Sequence, residues 1–335
     1  MRQENKNSQI KIQPLRIRNL NCYDNNIIAD ISRLFKRDYR LSLLGEFDFT
    51  YRNIDKTEEL LDYNDIYTGD ILYVPQMLSR FASISLEHIE VNNKESIFMF
   101  IEQVLSYIEY DFPVGVGIDS YYLPWNPQFK NLHRRHYFLI IGFDLNEGVF
   151  YCLDSYLSKQ INKIPISLIY HEYDRLILVK GIENEKSYSI NIIIKELESC
   201  LFNSGKLLNC DSIRGFAKDI LSNRFLKDQR VSGDLLEKSN LLFRLTDVAD
   251  SRYNFSQALY SLATTKRCDA FSKTTEKVLD VYEYWKLLKN IIVKGYISGR
   301  VIMSFHKASE LLNKIAVKEE NILNELQMIG KESEE

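Results

Sequence analysis

His133-Arg134-Arg135-His136-Tyr137-Phe138-Leu139-Ile140-Ile141-Gly142-Phe143-Asp144, resumed by Gly148-Val149-Phe150-Tyr151-Cys152-Leu153-Asp154, is the stretch from which the rest of the chain can be read. A run of β-branched and aromatic residues, a polar turn Asp144-Leu145-Asn146-Glu147-Gly148 and a second apolar run predict two antiparallel strands. His136 opens the first strand and Asp154 closes the second. With a loop over Asp144 to Asn146 the two would stand directly opposite, where cross-strand Cβ atoms approach to roughly 5 Å. Other loop lengths move them to a diagonal or onto opposite faces. A carboxylate in that position orients an imidazole and favours its protonated form, and the ring then needs a nucleophile on its other side.

Cys22 is the candidate nucleophile. Downstream of it Ile27, Ile31, Leu34 and Phe35 recur at helical spacing, so the cysteine falls at a helix N-terminus with Asn21 as N-cap. The unpaired N–H groups and dipole of a first turn favour a thiolate, while the charge of Asp24 opposes it. For a cysteine taken at random, packing as a small apolar residue under the helix is the commoner role. The polar turn Asn19-Leu20-Asn21 and the downstream His and Asp favour the nucleophile instead.

Length and composition bound the rest. A chain of 335 residues exceeds what single cores reach and predicts about two domains. A hydrophobic content of 45%, a charged content of 27% and a net charge of −3 carry no sign of a nucleic-acid or membrane surface. No apolar run approaches the ~20 residues of a membrane span, and the polar start has no signal-peptide core, so a cytoplasmic location is expected. Five cysteines, scattered and without a CxxC pair, predict free thiols and no disulfide framework.

In chain order, residues 1–9 read as a tail and Ile10 to Ile17 as a weak strand. Residues 41–90 read as short strands and a substrate-facing wall, and 94–110 as an amphipathic helix. Phe112 to Asp119 reads as a buried strand whose glycines allow close backbone approach. The loop Ser120-Tyr121-Tyr122-Leu123-Pro124-Trp125-Asn126-Pro127 reads as a pocket rim or a lid over the core. Asp119 could bind an amine or cap the following turn. Strands are expected at Lys163 to Leu168 and Leu176 to Lys180, with a turn around Tyr173 to Arg175. Beyond a boundary near Gly181 to Lys186, helical patterns at about 189–202, 211–227, 231–246, 250–266, 275–294 and 299–328 predict five or six helices without catalytic groups. The expected organisation is α+β, with a catalytic domain over 10–183 and an all-α domain over 187–330.

Cys22 at a helix start, Pro113 to Asp119 with Tyr121-Tyr122-Leu123-Pro124-Trp125, then His133, His136 to Asp144 and Tyr151 to Asp154 together resemble the N-terminal domain of the butirosin-biosynthesis acyltransferase family. That domain is similar to papain-type cysteine peptidases of the bacteriocin-leader-processing kind. The resemblance covers about residues 10–180 and implies a papain-like fold with Cys22, His136 and Asp154 as catalytic residues. It also implies amide-forming acyl transfer in thiotemplated, nonribosomal biosynthesis, as in a protease-like enzyme of closthioamide biosynthesis. The partners would be an acyl or peptidyl carrier protein and a small amine, the phosphopantetheine arriving on the carrier and no cofactor belonging to the enzyme; a homodimer is possible. Asn19, Asn21, Asp119, Tyr121, Tyr122, Trp125 and His133 are the residues expected to line the substrate site. Related peptidases place an oxyanion-hole glutamine six residues before the cysteine. Here that position is Arg16, so Gln13, Asn19 or Asn21 would take over with the Cys22 N–H.

Other readings compete. His133-x-x-His136 with Asp154 or Cys152 could hold zinc, but no fourth ligand stands out, and no metal is expected. His136 and Asp154 could merely satisfy each other in a sheet. A peptidase or thioesterase would keep the same three residues and use water as acceptor. A non-enzymatic module binding a carrier would make the constellation accidental.

Overall fold

The computed structural model describes residues 7–51, 66–67, 73–91, 96–184, 188–201, 208–221, 239–266 and 269–332. The chain divides into two compact units: Met1–Tyr39 with Leu78–Lys186, and Arg40–Met77 with Ser187–Glu335. Residues 40–77, placed by the sequence reading in a catalytic domain over 10–183, belong instead with the helices. The division at Met77 falls inside helix α2 (Tyr73–Phe81).

The first unit is α+β. Its sheet holds β1 (Asn7–Gln9), β4 (Ile84–Glu90), β5 (Val114–Asp119), β6 (Arg135–Asp144), β7 (Val149–Leu153), β8 (Asn162–Pro165) and β9 (Tyr173–Ile182). The order is β4-β9-β5-β6-β7-β8, with β1 paired to β6 beyond the end of β5 and every pairing antiparallel. Strand β6 is buried from His136 to Asp144, which accounts for its unbroken apolar run. Asn7–Gln9 therefore belongs to the sheet rather than to a tail, residues 1–6 lie outside the described residues, and the weak strand expected over Ile10 to Ile17 does not form. The turn expected at Tyr173 is instead the start of β9, preceded by a helix, α4 (Ile166–Glu172).

Helix α1 runs over residues 22–34; its Asp24–Ala29 portion is π-helical and Asp30–Leu34 is α-helical. It packs on the sheet at Gly115, where a Cβ would come 2.9 Å from Ile27 Cδ1 and 2.8 Å from Ile177 Cβ. Glycine is what lets the helix sit this close. Helix α3 (Ile97–Glu109) starts at Ser96, whose side chain accepts the Met99 N–H. Its Phe100 stacks on Tyr173 with ring centroids 4.8 Å apart.

In the second unit the helices are α5 (Ile190–Leu201), α6 (Leu208–Asp219), α7 (Asn240–Lys266), α8 (Asp269–Ser298) and α9 (Val301–Glu332). The two stripes expected at 231–246 and 250–266 meet in the single helix α7, while 222–238 lies outside the described residues. A 3-10 helix over Arg40–Phe47 and a small hairpin of β2 (Thr50–Tyr51) and β3 (Ile66–Tyr67) complete the unit. Phe47 stacks on Phe255 at 4.5 Å and Phe49 packs against Trp285 at 5.3 Å. At the centre, Arg252 and Glu319, both fully buried, pair through two hydrogen bonds of 2.9 and 2.8 Å. Trp285 Nε1 donates to the same carboxylate and Arg252 to the Asp48 carbonyl. A buried pair persists when its remaining polar atoms are satisfied in this way.

Candidate active site

The hairpin brings His136 and Asp154 together by a route its sequence does not display. Asp144 pairs with Val149, Phe143 with Phe150 and Gly142 with Tyr151, after which Ile141 bulges and the register resumes as Ile140 with Cys152 and Leu139 with Leu153. One further step without the bulge would set Asp154 beside Leu139, on the face away from His136. The extra residue shifts it beside Phe138, diagonal to His136 and on the same face, within reach of long side chains. Of the arrangements open to the sequence reading, the diagonal is the one that forms.

His136 Nε2 and Asp154 Oδ2 are 2.7 Å apart, with the imidazole 5% exposed and the carboxylate fully buried. The carboxylate is saturated with donors. Trp125 Nε1 reaches Oδ2 at 2.7 Å, and Asn26 Nδ2 at 2.9 Å and the Leu157 N–H at 3.3 Å reach Oδ1. Burial alone would raise the Asp154 pKa, but the hydrogen bond and charge of His136, with Trp125 and Asn26, carry it below the usual carboxylate value. Burial likewise pulls His136 down, yet the negative charge of Cys22, the hydrogen bonds to Asp154 and Cys22, and the charge of Asp154 raise its pKa to about 10. With Nε2 held by Asp154, Nδ1 is the nitrogen left to face the Cys22 thiol.

Cys22 begins α1. Asn21 Oδ1 accepts the Asp24 N–H at 2.9 Å, so Asn21 is the N-cap expected from the sequence. Of the cysteines whose side chains are described, Cys22 alone is not buried. Burial drives the Cys152 thiol well above its ordinary pKa and the Cys210 thiol up to about 12, leaving both inert at neutral pH.

Three residues absent from the sequence reading of the site hold it in place. Asn26 donates to the Tyr137 carbonyl at 2.7 Å as well as to Asp154, and its Oδ1 accepts the Tyr156 N–H. One side chain of α1 thus fixes the strand of His136 and the loop of Asp154. Asn25 accepts the Ile17 N–H at 2.8 Å and donates to the Leu15 carbonyl, pinning the segment that leads to Cys22. Asp30 is fully buried beside Arg33 at 2.5 Å; burial pushes its carboxyl up to about 6 against the pull of Ser155 and Arg33. The available signal was Asp24-Asn25-Asn26 within a helix, because Asp and Asn are poor helix-interior residues and π-helical turns gather at functional sites.

The expected substrate residues divide into groups. Trp125 gives its Nε1–H to Asp154 and so supports the carboxylate. Asp119 caps the turn: Oδ1 accepts the Tyr121 and Arg134 N–H groups and Oδ2 meets His133 Nδ1 at 2.6 Å. Tyr121 stacks on His133 at 4.3 Å, and Tyr122 lies edge-on to Tyr121. Asp119, His133, Tyr121 and Tyr122 thus form a cluster of their own. Of the three amides expected to serve the oxyanion, Asn21 is the cap, Asn19 sits in the left-handed region at φ 65°, and Gln13 accepts Arg33 through its carbonyl. Among the described residues no three metal-binding side chains converge, His133 and His136 each turning to a separate carboxylate. No described helix is long and apolar enough to cross a membrane.

A model of the Peptidase_C39 like family matches residues 44–176. The match takes in His136 and Asp154 and begins beyond Cys22. It supports a papain-like cysteine peptidase type of domain, and with it a cysteine-dependent enzyme. No curated protein matches the chain.

Proposed function

We propose that the protein is a cysteine-dependent acyltransferase that forms an amide by passing an acyl group from a carrier-bound thioester to an amine through an acyl-cysteine. The observation that carries this reading is the buried pair of His136 with a donor-saturated Asp154, beside the one described cysteine that is not buried, Cys22, whose charge acts on the same imidazole. The Cys22 thiolate attacks the thioester carbonyl, and the departing pantetheine sulfur takes the proton held on His136. An amine then attacks the acyl-cysteine, gives its proton to the imidazole and displaces the Cys22 thiolate. Asp154 keeps the ring in one orientation throughout.

The acyl donor and amine come from the resemblance of the motifs to amide-forming members of the papain-like group. Asp119 is not assigned to the amine, because its carboxylate is used on backbone N–H groups and His133. Exclusion of water falls to the aromatic pair Tyr121 and Tyr122 in this reading. The peptidase name of the matching family favours hydrolysis as the second reading. The two part on one ratio. With an acylated carrier protein and added diamine, amide should exceed free acid and should rise with amine concentration; free acid alone, whatever the amine, would assign a hydrolase.

A further inference from the structure

We propose that Arg16 is an anion-binding subsite at the mouth of this site, and that the acyl group passed to Cys22 bears a carboxylate that docks on it. The inference rests on the acyl-cysteine reading above. Arg16 is fixed on two sides. Its Nη1 donates to the Leu20 carbonyl at 2.6 Å, the Ile17 carbonyl at 3.1 Å and Asn25 Oδ1 at 3.1 Å. Its guanidinium carbon lies 3.8 Å over the ring of Tyr156, whose centroid is 6.1 Å from that of His136. The cation is thereby held between the loop that delivers Cys22 and the ring flanking the imidazole.

Every one of these hydrogen bonds uses Nη1. The Nε and Nη2 groups have no partner among the described residues, and no described carboxylate pairs with Arg16, although the residue is exposed and its guanidinium is immobilised. That free edge presents two N–H groups in parallel, the fork that a carboxylate accepts bidentately. Stapling the loop, which includes Asn19 at φ 65°, accounts for Nη1 alone. A lysine could meet those carbonyls equally well, so the loop does not call for the second, outward pair of donors. Arg16 is bound to the carbonyl of Leu20, two residues before Cys22, which is why the anion is placed on the acyl group and not on the phosphate at the far end of a pantetheine arm.

The test alkylates Cys22 with ω-bromoalkanoates of about two to six carbons and with the matching neutral amides, whose chains stand in for the acyl group. In the wild type the acid should outpace its amide at one or two chain lengths and show saturation. Arg16→Gln should lower that acid-to-amide ratio roughly tenfold, the scale of a charge-assisted hydrogen-bonded pair, and Arg16→Lys should fall between. A ratio that Arg16→Gln leaves unchanged at every length would overturn the proposal. So would acid and amide rates falling together, which would make Arg16 a support for the loop and nothing more. Wild-type protein that neither reagent labels at Cys22 would remove the acyl-cysteine reading itself.

Discussion

His136 keeps its proton because two effects of opposite sign meet on one buried ring. Burial disfavours the imidazolium, and the negative charge of Cys22, with the hydrogen bonds to Asp154 and Cys22, overrides it. Cys22→Ala should therefore lower the pH at which the His136 ring titrates by NMR from about 10. An unmoved titration would separate the two residues. The same shift has a stability consequence of definite sign. The folded pKa lies above the unfolded value of 6.5, so the contribution of His136 is complete below 6.5 and is lost as pH climbs toward about 10. The melting-temperature difference between wild type and His136→Gln should shrink across that window and stay flat below it. Asn26 is the second residue on which the site depends. Asn26→Ala strips a partner from Asp154, the Tyr137 carbonyl and the Tyr156 N–H, and should cost about 2–3 kcal/mol by denaturant melting. Turnover should fall on the order of 10²-fold as His136 and Asp154 lose registration. Wild-type turnover in that variant would reduce Asn26 to packing. None of this was legible in the residue string, since an asparagine in a helix declares its discomfort but not which strand and which loop it ties together.

Strand identity was legible in β6 and β7, where β-branched and aromatic residues run unbroken, and in α3, where apolar residues recur every three or four positions. Register was not. Nothing in the run Leu139-Ile140-Ile141-Gly142 marks Ile141 as the residue that bulges, because a bulge is set by what both neighbouring strands demand. Here β6 serves β5 as far as Ile140 and β1 from Gly142 onward. β1 itself, Asn-Ser-Gln, pairs through its backbone and a side-chain bond from Asn7 to Asp144, and so leaves no hydrophobic trace. Inserting one residue between Leu139 and Ile140 should keep the hairpin but set Asp154 beside Leu139, on the face away from His136. Amide exchange protection in β6 and β7 should survive while the His136 titration drops and turnover is lost; retained turnover would show that this register does not set the pair.

On the scale of the whole chain, the sequence reading failed where contacts are most distant. Residues 40–77 carry no composition shift at either end, yet Leu43, Leu44, Phe47 and Phe49 are buried with the helical unit. A fragment ending at residue 186 matches the domain boundary suggested by sequence. It should nonetheless self-associate on gel filtration, since those side chains would lose their cover. Replacing 40–77 in that fragment by a short flexible linker should restore a monomer. A monomeric, cooperatively melting fragment 1–186 with 40–77 intact would contradict the two-unit division.

The central claim is that Cys22 carries the acyl group between donor and acceptor. Intact-protein mass spectrometry after brief exposure to an acylated carrier protein measures this directly. The account expects the mass to rise by one acyl group located on Cys22, the rise to be absent in Cys22→Ala, and a diamine chase to return the mass to its starting value with release of the amide. An unchanged wild-type mass together with amide production, or the same adduct in Cys22→Ala, would contradict it.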